Sequence, residues 1–293
     1  MISGFMLLSL LSIVLCQECE PQTMTITEFI QPTISEPLVE CSADQPCHDG
    51  SCCSRYGFCG DTFSYCSPTE KCLSNCWEDD HEEMFIDWEF VDGVDYTCST
   101  ANSFSLTFSD SPAAYFEDIL NALNQRNVKA TFFVLGREIA GKEHLLRMAH
   151  ETGHQIASQG WSHTDFTTLS TVQLKRELNN TARAIKKITG QAPRFVRPPR
   201  GFVDQETALI IKSFGYRIVL WNLDSLDWQI NFEKGSGDDV ANIVEVHIAK
   251  ANGESKIMNM HDGYYQTAGA IDRVIDIVSS HGYEMLRVDE CLQ

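Results

Sequence analysis

The chain has 293 residues, which is enough for one ordinary domain and a small additional module. Its formal net charge of −19 at pH 7 argues against binding to nucleic acids or to anionic membranes. Eight of its 12 cysteines lie between Cys41 and Cys76. So short a segment cannot bury enough apolar surface to fold without covalent support, so we expect disulfides and an oxidising environment.

The amino terminus is expected to direct the protein out of the cell. Residues 1–16 form an apolar run that is too short to span a bilayer and is typical of a signal peptide. Residues 17–37 contain Thr and Pro and predict a linker. No second long apolar stretch follows, so we expect no membrane anchor and a location outside the cell or in a cell wall.

The clustered cysteines allow two interpretations, disulfides or a zinc site. Zinc sites usually show C-x-x-C pairs or further His ligands, whereas this segment has no C-x-x-C pair and only His48. The pattern therefore favours disulfides, although the residues alone leave their pairing open.

From Cys47 onward, the cysteine spacing resembles that of the hevein-like chitin-binding module, carbohydrate-binding module family 18. The resemblance covers residues 38–77 and implies binding of chitin or N-acetylglucosamine oligomers. It also implies a set of four disulfides: Cys41–Cys53, Cys47–Cys59, Cys52–Cys66 and Cys72–Cys76.

The family binds sugars on a shallow aromatic face, whose matching positions here are Ser54, Tyr56, Phe58 and Tyr65. The apolar C–H face of a pyranose ring can stack on such aromatic rings, and the hydroxyl groups can reach the acetamide. The alternative is that these aromatic residues only fill a very small core. Because disulfides already occupy such cores, the sugar-binding interpretation is favoured.

The next segment, residues 78–97, is rich in acidic side chains and predicts a solvated linker, with weak cation binding as the less favoured alternative. Cys98 and Cys291 lie at the two ends of the region that follows, and a disulfide between them would join those ends. Cys19 would then be left as a free or intermolecular thiol. In this region Asn179 begins an Asn-Asn-Thr glycosylation acceptor, although an unused surface Asn is nearly as common.

After Cys98, apolar strand-like runs alternate with helical patterns. In chain order the strands are SLTF, ATFFV, HQIAS, RFVRP, RIVLW, KIMNM and MLRV, and the helices lie near 112–125, 138–151, 172–188, 205–214, 239–250 and 268–279. About seven βα units predict a parallel sheet with helices outside it, either a barrel or an open doubly wound sheet. In both cases the functional residues are expected at the carboxyl ends of the strands.

Those strand ends carry the segments LTFSDSP, ASQGWSHTDF, RPPRG, LDSLDW and MHDG. Together with KATFFVLG, they resemble the polysaccharide deacetylases of carbohydrate esterase family 4, the NodB homology domain, over residues 98–293. The resemblance implies an α/β fold, a distorted (β/α) barrel of about seven units. It also implies an Asp and two His that hold zinc or another divalent metal, a base Asp, and an acid His.

Two of the implied catalytic positions carry other residue types. Asp110 and His163 match metal ligands, but Gln159 replaces the third ligand and Ser109 replaces the base. A serine hydroxyl is not a useful proton acceptor near neutral pH, and an amide oxygen is a poorer zinc ligand than imidazole. The pattern therefore predicts a degraded catalytic centre.

The remaining implied positions match the family. His261 corresponds to the general acid, Asp224 or Asp227 to the carboxylate that orients it, and Arg197 to the residue that holds the base. Trp228 corresponds to an apolar wall of the site. Smaller departures are Ser111 for Gly, Thr164 for Pro, Arg200 for an aromatic residue and Asn259 for an apolar residue.

Two alternatives remain open from the sequence. The chain could be an active metal-dependent chitin deacetylase if His154 or Asp165 moved into the site, or if a hard metal tolerated Asp, Gln and His as ligands. It could instead be a structural cell-wall protein that is cross-linked through Cys19.

Overall fold

The computed structural model describes residues 41–47, 52–53, 59–60, 72–76, 91–230, 235–251 and 253–293. The expected signal peptide, the Thr/Pro-bearing linker and most of the acidic linker lie outside these ranges. The expected chitin-binding residues lie outside them too: Ser54, Tyr56, Phe58 and Tyr65.

The described part of the cysteine-rich region is held together by disulfides. Two short strands, β1 (Cys52–Cys53) and β2 (Cys59–Gly60), pair in antiparallel fashion. Cys52 is also disulfide-bonded, and its expected partner Cys66 lies outside the described residues. The disulfides resolved here are the ones that the hevein resemblance implies: Cys41–Cys53, Cys47–Cys59 and Cys72–Cys76.

The larger part of the chain is built on a curled parallel sheet. Its strands are β3 (Val94–Asp95), β4 (Ser103–Ser111), β5 (Thr131–Val134), β6 (Gln155–Ser158), β7 (Phe195–Val196), β8 (Arg217–Val219), β9 (Leu223–Asp224), β10 (Lys256–His261) and β11 (Glu284–Met285). In the described residues the strand order is β3-β8-β7-β6-β5-β4-β10-β9, and β11 also pairs with β4. The predicted barrel is thus confirmed as a half-barrel whose described edge strands, β3 and β9, do not pair with each other.

Helices connect successive strands, as the alternating pattern predicts. The third helix shows that local residues determine where a helix begins and ends. Ser170 and Gln173 form a capping box at its start, and Gly190 ends it at a φ of 79°. The helices are α1 (Phe116–Gln125), α2 (Glu143–Glu151), α3 (Thr171–Thr189), α4 (Gln205–Ser213), α5 (Gly237–Lys250), α6 (Tyr265–Ser280) and α7 (Val288–Cys291).

Strand β4 lies inside the sheet and separates the core from the site. Because side chains alternate along a strand, Leu106 and Phe108 join the apolar cluster formed with α1 and α6. Thr107 and Ser109 project to the other side, where they contact the side chain of Arg197. The same alternation therefore builds the core and supplies polar groups to the site.

The ends of this region are joined by the disulfide Cys98–Cys291, with 5.0 Å between the Cα atoms. The backbone N–H groups of Ser99 and Thr100 also donate to the carbonyl of Cys291. Within the described ranges, none of the helices combines the length and apolar character needed to cross a bilayer.

A candidate active site at the carboxyl ends of the strands

The implied metal-binding residues meet beside the end of β4. The register between β4 and β5 shifts between Phe108 and Ser111, and Asp110 adopts a positive φ of 61° in this irregular stretch. Gln159 directly follows β6, and His163 lies four residues further along, also at a positive φ, 62°. Such backbone conformations are costly for residues other than glycine and occur often at functional sites.

Gln159 holds Asp110 through two hydrogen bonds. Its Nε2 donates to Oδ1 of Asp110 over 2.8 Å, and its Oε1 accepts from the backbone N–H of Asp110 over 2.7 Å. Nε2 of His163 lies 3.2 Å from the same Oδ1. Burial raises the pKa of Asp110, but the hydrogen bond to His163 and the charge of His261 outweigh it, so the pKa lies below its usual value.

This arrangement does not fit a divalent metal. The orientation of the Gln159 amide is determined, because a backbone N–H can only donate and the atom facing it must be the oxygen. The amide therefore presents N–H groups to the carboxylate of Asp110, where a ligand set would need a lone pair. Two donors remain, Asp110 and His163, and the third position is occupied by a hydrogen-bond donor.

Arg197 is completely buried beneath this pair and has no carboxylate partner within the described residues. Its guanidinium packs on the rings of Phe133 and Trp221, with its central carbon 4.0 Å and 5.1 Å from the two centroids. Burial lowers its pKa to about 9. Its N–H groups donate to five neutral oxygens: Oγ1 of Thr107, Oγ of Ser109, Oδ1 of Asn259, and the carbonyls of Val219 and Leu220.

Ser109 is part of a neutral network around this arginine. Its Oγ donates to Oδ1 of Asn259 over 2.8 Å and lies 3.2 Å from Nη1 of Arg197. Asn259 in turn approaches Oδ2 of Asp224 through Nδ2, at 3.5 Å. The hydroxyl is therefore held by its neighbours at the position where the resemblance implies a proton-accepting carboxylate.

The pair formed by His261 and Asp227 is complete. Nδ1 of His261 lies 2.8 Å from Oδ1 of Asp227, and the backbone N–H of His261 donates to Oδ2 over 2.7 Å. Thr267 also donates to Oδ2, at 2.6 Å. Asp224 instead accepts from the backbone N–H of Leu226, so the structure selects Asp227 from the two carboxylates left open by the sequence.

The pair predicts a pH dependence of stability. Burial lowers the pKa of His261, but the charge and hydrogen bond of Asp227 outweigh it and raise the pKa from 6.5 to about 9. A group whose pKa is higher in the folded than in the unfolded protein stabilises the fold fully at pH values below its unfolded-state pKa. For His261 this contribution is lost as the pH rises from about 6.5 to about 9. We expect a loss on the order of 3 kcal/mol, measured by urea unfolding across that range.

Replacement Asp227→Asn should remove most of this pH dependence. Asp227 is buried, so its replacement also disturbs the fold. A titration of the His261 ring in the unmodified protein, followed by NMR, is therefore the independent check. A midpoint near the ordinary value for histidine would contradict the prediction.

Other residues singled out from the sequence have structural contacts or lie at the surface. Nδ1 of His154 accepts from the backbone N–H of Ala130, and Asp165 accepts from Thr167 at the start of a short 3₁₀ helix. Neither side chain reaches Asp110, so the structure gives no support to their rescue of the metal site. Trp228 is 51% exposed beside Asp227, and Asn179 is exposed on α3.

Sequence reasoning missed several residues that support the site. Glu177 on α3 accepts from the backbone N–H groups of Trp161 and Ser162, and so holds the loop that carries His163. Asn259 links Ser109, Arg197 and Asp224, although the sequence indicated only an unusual polar residue. The helical position of Glu177 carried no signal for this contact, because it depends on how α3 packs on the loop.

The chain is similar in sequence and in fold to known polysaccharide deacetylases. The sequence profile described as polysaccharide deacetylase matches residues 97–219. A curated relative, an uncharacterised 30.6 kDa protein from Geobacillus stearothermophilus, is 32% identical over 188 residues, which cover 63% of this chain and 69% of that protein. The chain contains a domain of the polysaccharide deacetylase family. Members of this family are generally metal-dependent.

The chain spans a smaller part of other members of the family. It is 32% identical over 192 residues to the peptidoglycan-N-acetylglucosamine deacetylase PgdA of Listeria monocytogenes, which is 65% of this chain but 39% of PgdA. The deacetylase-like domain is thus the shared part of two proteins with different overall lengths.

Solved structures show the same fold. The chitin deacetylase of Colletotrichum lindemuthianum has a TM-score of 0.65 and 28% identity, covering 69% of this chain and 92% of that structure. A mutant of a pseudoenzyme of this family, described as having restored enzymatic activity, has a TM-score of 0.62 and 25% identity. That comparison covers 70% of this chain and 72% of the mutant; the unmodified pseudoenzyme is from Bacillus anthracis.

Proposed function

We propose that this is a secreted, chitin-binding member of the polysaccharide deacetylase family whose catalytic centre is degraded. One observation carries the proposal: the amide of Gln159 is hydrogen-bonded to both the backbone and the carboxylate of Asp110. A ligand position of the family is then filled by a hydrogen-bond donor, and the base position by a serine. The domain keeps its fold and its acid pair but lacks the two groups that activate water.

The carbohydrate ligand follows from two separate lines of support. Relatives of the deacetylase-like domain are described as acting on chitin or peptidoglycan, both polymers of N-acetylated sugars. The cysteine spacing of residues 38–77 resembles a chitin-binding module, and the disulfides Cys41–Cys53, Cys47–Cys59 and Cys72–Cys76 agree with that resemblance. We propose chitin or N-acetylglucosamine oligomers as the partner, and the extracellular space or a cell wall as the location.

A second candidate is an active deacetylase. The complete pair of His261 and Asp227 favours it, because an acid that protonates the leaving amine would be in place. Ser109 argues against it, since a neutral serine hydroxyl that is hydrogen-bonded to Arg197 and Asn259 is not a useful acceptor for the proton of a water molecule. Loss of general-base catalysis alone lowers a rate by about 10²–10⁴-fold.

Titration with zinc tests the degraded centre. We expect no tight zinc site in the purified full-length chain, because two ligands give a much weaker site than three. The measurement is calorimetric titration, and Asp110→Asn is the matched control that removes one of the remaining ligands. A stoichiometric, submicromolar site that disappears in the control would contradict the proposal.

A further inference from the structure

The carboxylate of Asp110 retains one oxygen for a ligand. Its Oδ1 is in contact with both Gln159 and His163, whereas Oδ2 has no hydrogen-bond partner in the part of the chain that the structure describes. The side chain is 37% exposed, so this oxygen can be reached from solvent. An ionised carboxylate with an unused oxygen binds hydrogen-bond donors, and cationic donors most strongly.

Several charged groups lie near Asp110. The carboxylates Asp224, Asp227 and Asp262 and the cationic groups Arg197 and His261 form one electrostatically linked cluster with it. Asp227 and Asp262 are completely buried, whereas the side chain of Asp110 is partly exposed. Asp110 therefore presents its carboxylate to a ligand that arrives from solvent.

The loops at the same edge of the sheet as Asp110 suit a sugar chain. Trp161, Phe202 and Trp228 are the exposed aromatic residues among the large hydrophobic side chains at the described surface. They follow β6, β7 and β9 respectively, so all three lie in loops at the carboxyl edge of the sheet, where Asp110 is also found. Aromatic rings at such an edge offer flat apolar surfaces on which pyranose rings can stack.

We propose that this edge of the sheet binds the primary ammonium group of a deacetylated amino sugar, with Asp110 as its carboxylate partner. The proposal rests on the proposed function, since it requires a site that holds no metal. The ammonium donates to Oδ2 of Asp110, and the neighbouring sugar rings lie along the exposed aromatic residues. An N-acetylated unit is disfavoured, because it offers the carboxylate one neutral amide N–H, which forms a weaker hydrogen bond than a charged ammonium group.

The net charge of −19 also favours a cationic ligand. A glucosamine polymer carries a positive charge on each protonated unit, and an acidic protein attracts such a chain from a distance. The domain would then recognise the deacetylated form of the polymer whose acetylated form is bound by the cysteine-rich region.

The test uses the full chain with Tyr56→Ala and Phe58→Ala, which removes the expected binding of acetylated sugar by the cysteine-rich region. This protein is titrated calorimetrically, with a chelator present, with glucosamine and N-acetylglucosamine oligomers of equal length. We expect the glucosamine oligomer to bind more tightly by about tenfold or more. Asp110→Asn should abolish this preference and retain the melting temperature.

Glu284→Gln is the matched control. It also removes one negative charge, but from an exposed residue that pairs with the beginning of β4, at the opposite edge of the sheet. We expect this variant to keep the preference for glucosamine. Equal binding of the two oligomers, or a preference that survives Asp110→Asn, would overturn the ammonium site.

The ammonium site and the proposed function fail in different measurements. Zinc-dependent acetate release by the unmodified chain would contradict the degraded centre. A preference for glucosamine oligomers that does not depend on Asp110 when chelator is present would contradict the ammonium site, whatever the activity of the domain.

Discussion

The double variant Ser109→Asp/Gln159→His is expected to release acetate from N-acetylglucosamine oligomers when zinc is added. The two replacements restore a proton acceptor and a metal ligand on neighbouring parts of one site. The pair of His261 and Asp227, and Arg197, are already in place. Because a base without metal and a metal without base both leave the reaction incomplete, each single variant should gain little, and the double variant much more than their sum.

The contacts of Ser109 indicate how an aspartate would be accommodated at position 109. Nη1 of Arg197 lies 3.2 Å from Oγ of Ser109, so a carboxylate there would gain the anionic partner that this buried arginine lacks. Asn259 must turn its amide, since its Oδ1 now accepts from the serine hydroxyl. The turn gives up the 3.0 Å hydrogen bond that Oδ1 accepts from Arg197, which the new carboxylate replaces, and the long 3.5 Å contact with Asp224.

Measured acetate release by the unmodified chain, both single variants and the double variant decides this prediction. Ser109→Asn combined with Gln159→His is the matched control, because it adds similar volume without a proton acceptor. We expect partial recovery, within the range of about 10²–10⁴-fold that a general base contributes. Strong activity of the unmodified chain would contradict the degraded centre, and equal inactivity of all variants would show that Ser111, Arg200 or Asn259 also disturbs the site.

Retention on chitin beads is expected to depend on the cysteine-rich region. Replacement of Tyr56 and Phe58 by Ala in the full chain should abolish retention, because the expected stacking surface for the sugar rings is removed. Stacking on an aromatic side chain is worth on the order of 1 kcal/mol for each ring. The free-energy losses for the two rings add, so the affinity for chitin falls by the product of the two factors.

The matched control for this experiment is Leu209→Ala. This residue is also a large exposed apolar side chain, 56% accessible, but it lies on α4 of the deacetylase-like domain and not in the loops that carry the exposed aromatic residues. We expect Leu209→Ala to be retained as well as the unmodified chain. Unchanged retention of the double variant at Tyr56 and Phe58 would show that chitin is bound elsewhere.

Much of the architecture was readable from the sequence because it depends on local patterns. The apolar period of α1, with Phe116, Ile119, Leu120 and Leu123 buried, predicts a helix that packs by one face. The order of strand-like and helical segments predicts a parallel sheet, and the sheet in turn assigns the site to the carboxyl ends of its strands. The departures at positions 109 and 159 were visible as residue types.

Only the tertiary structure decided what those departures do. The sequence shows a glutamine where a ligand is expected, but the donor and acceptor of its amide are assigned only by their contact with the backbone and carboxylate of Asp110. The choice of Asp227 over Asp224 likewise depends on a hydrogen bond between residues 34 positions apart. The role of Asn259 arises from the parallel register that pairs it with Thr107 across β10 and β4. Residue type and period are local properties, whereas hydrogen-bond partners are determined by which strands are neighbours and by the rotamers that their packing permits.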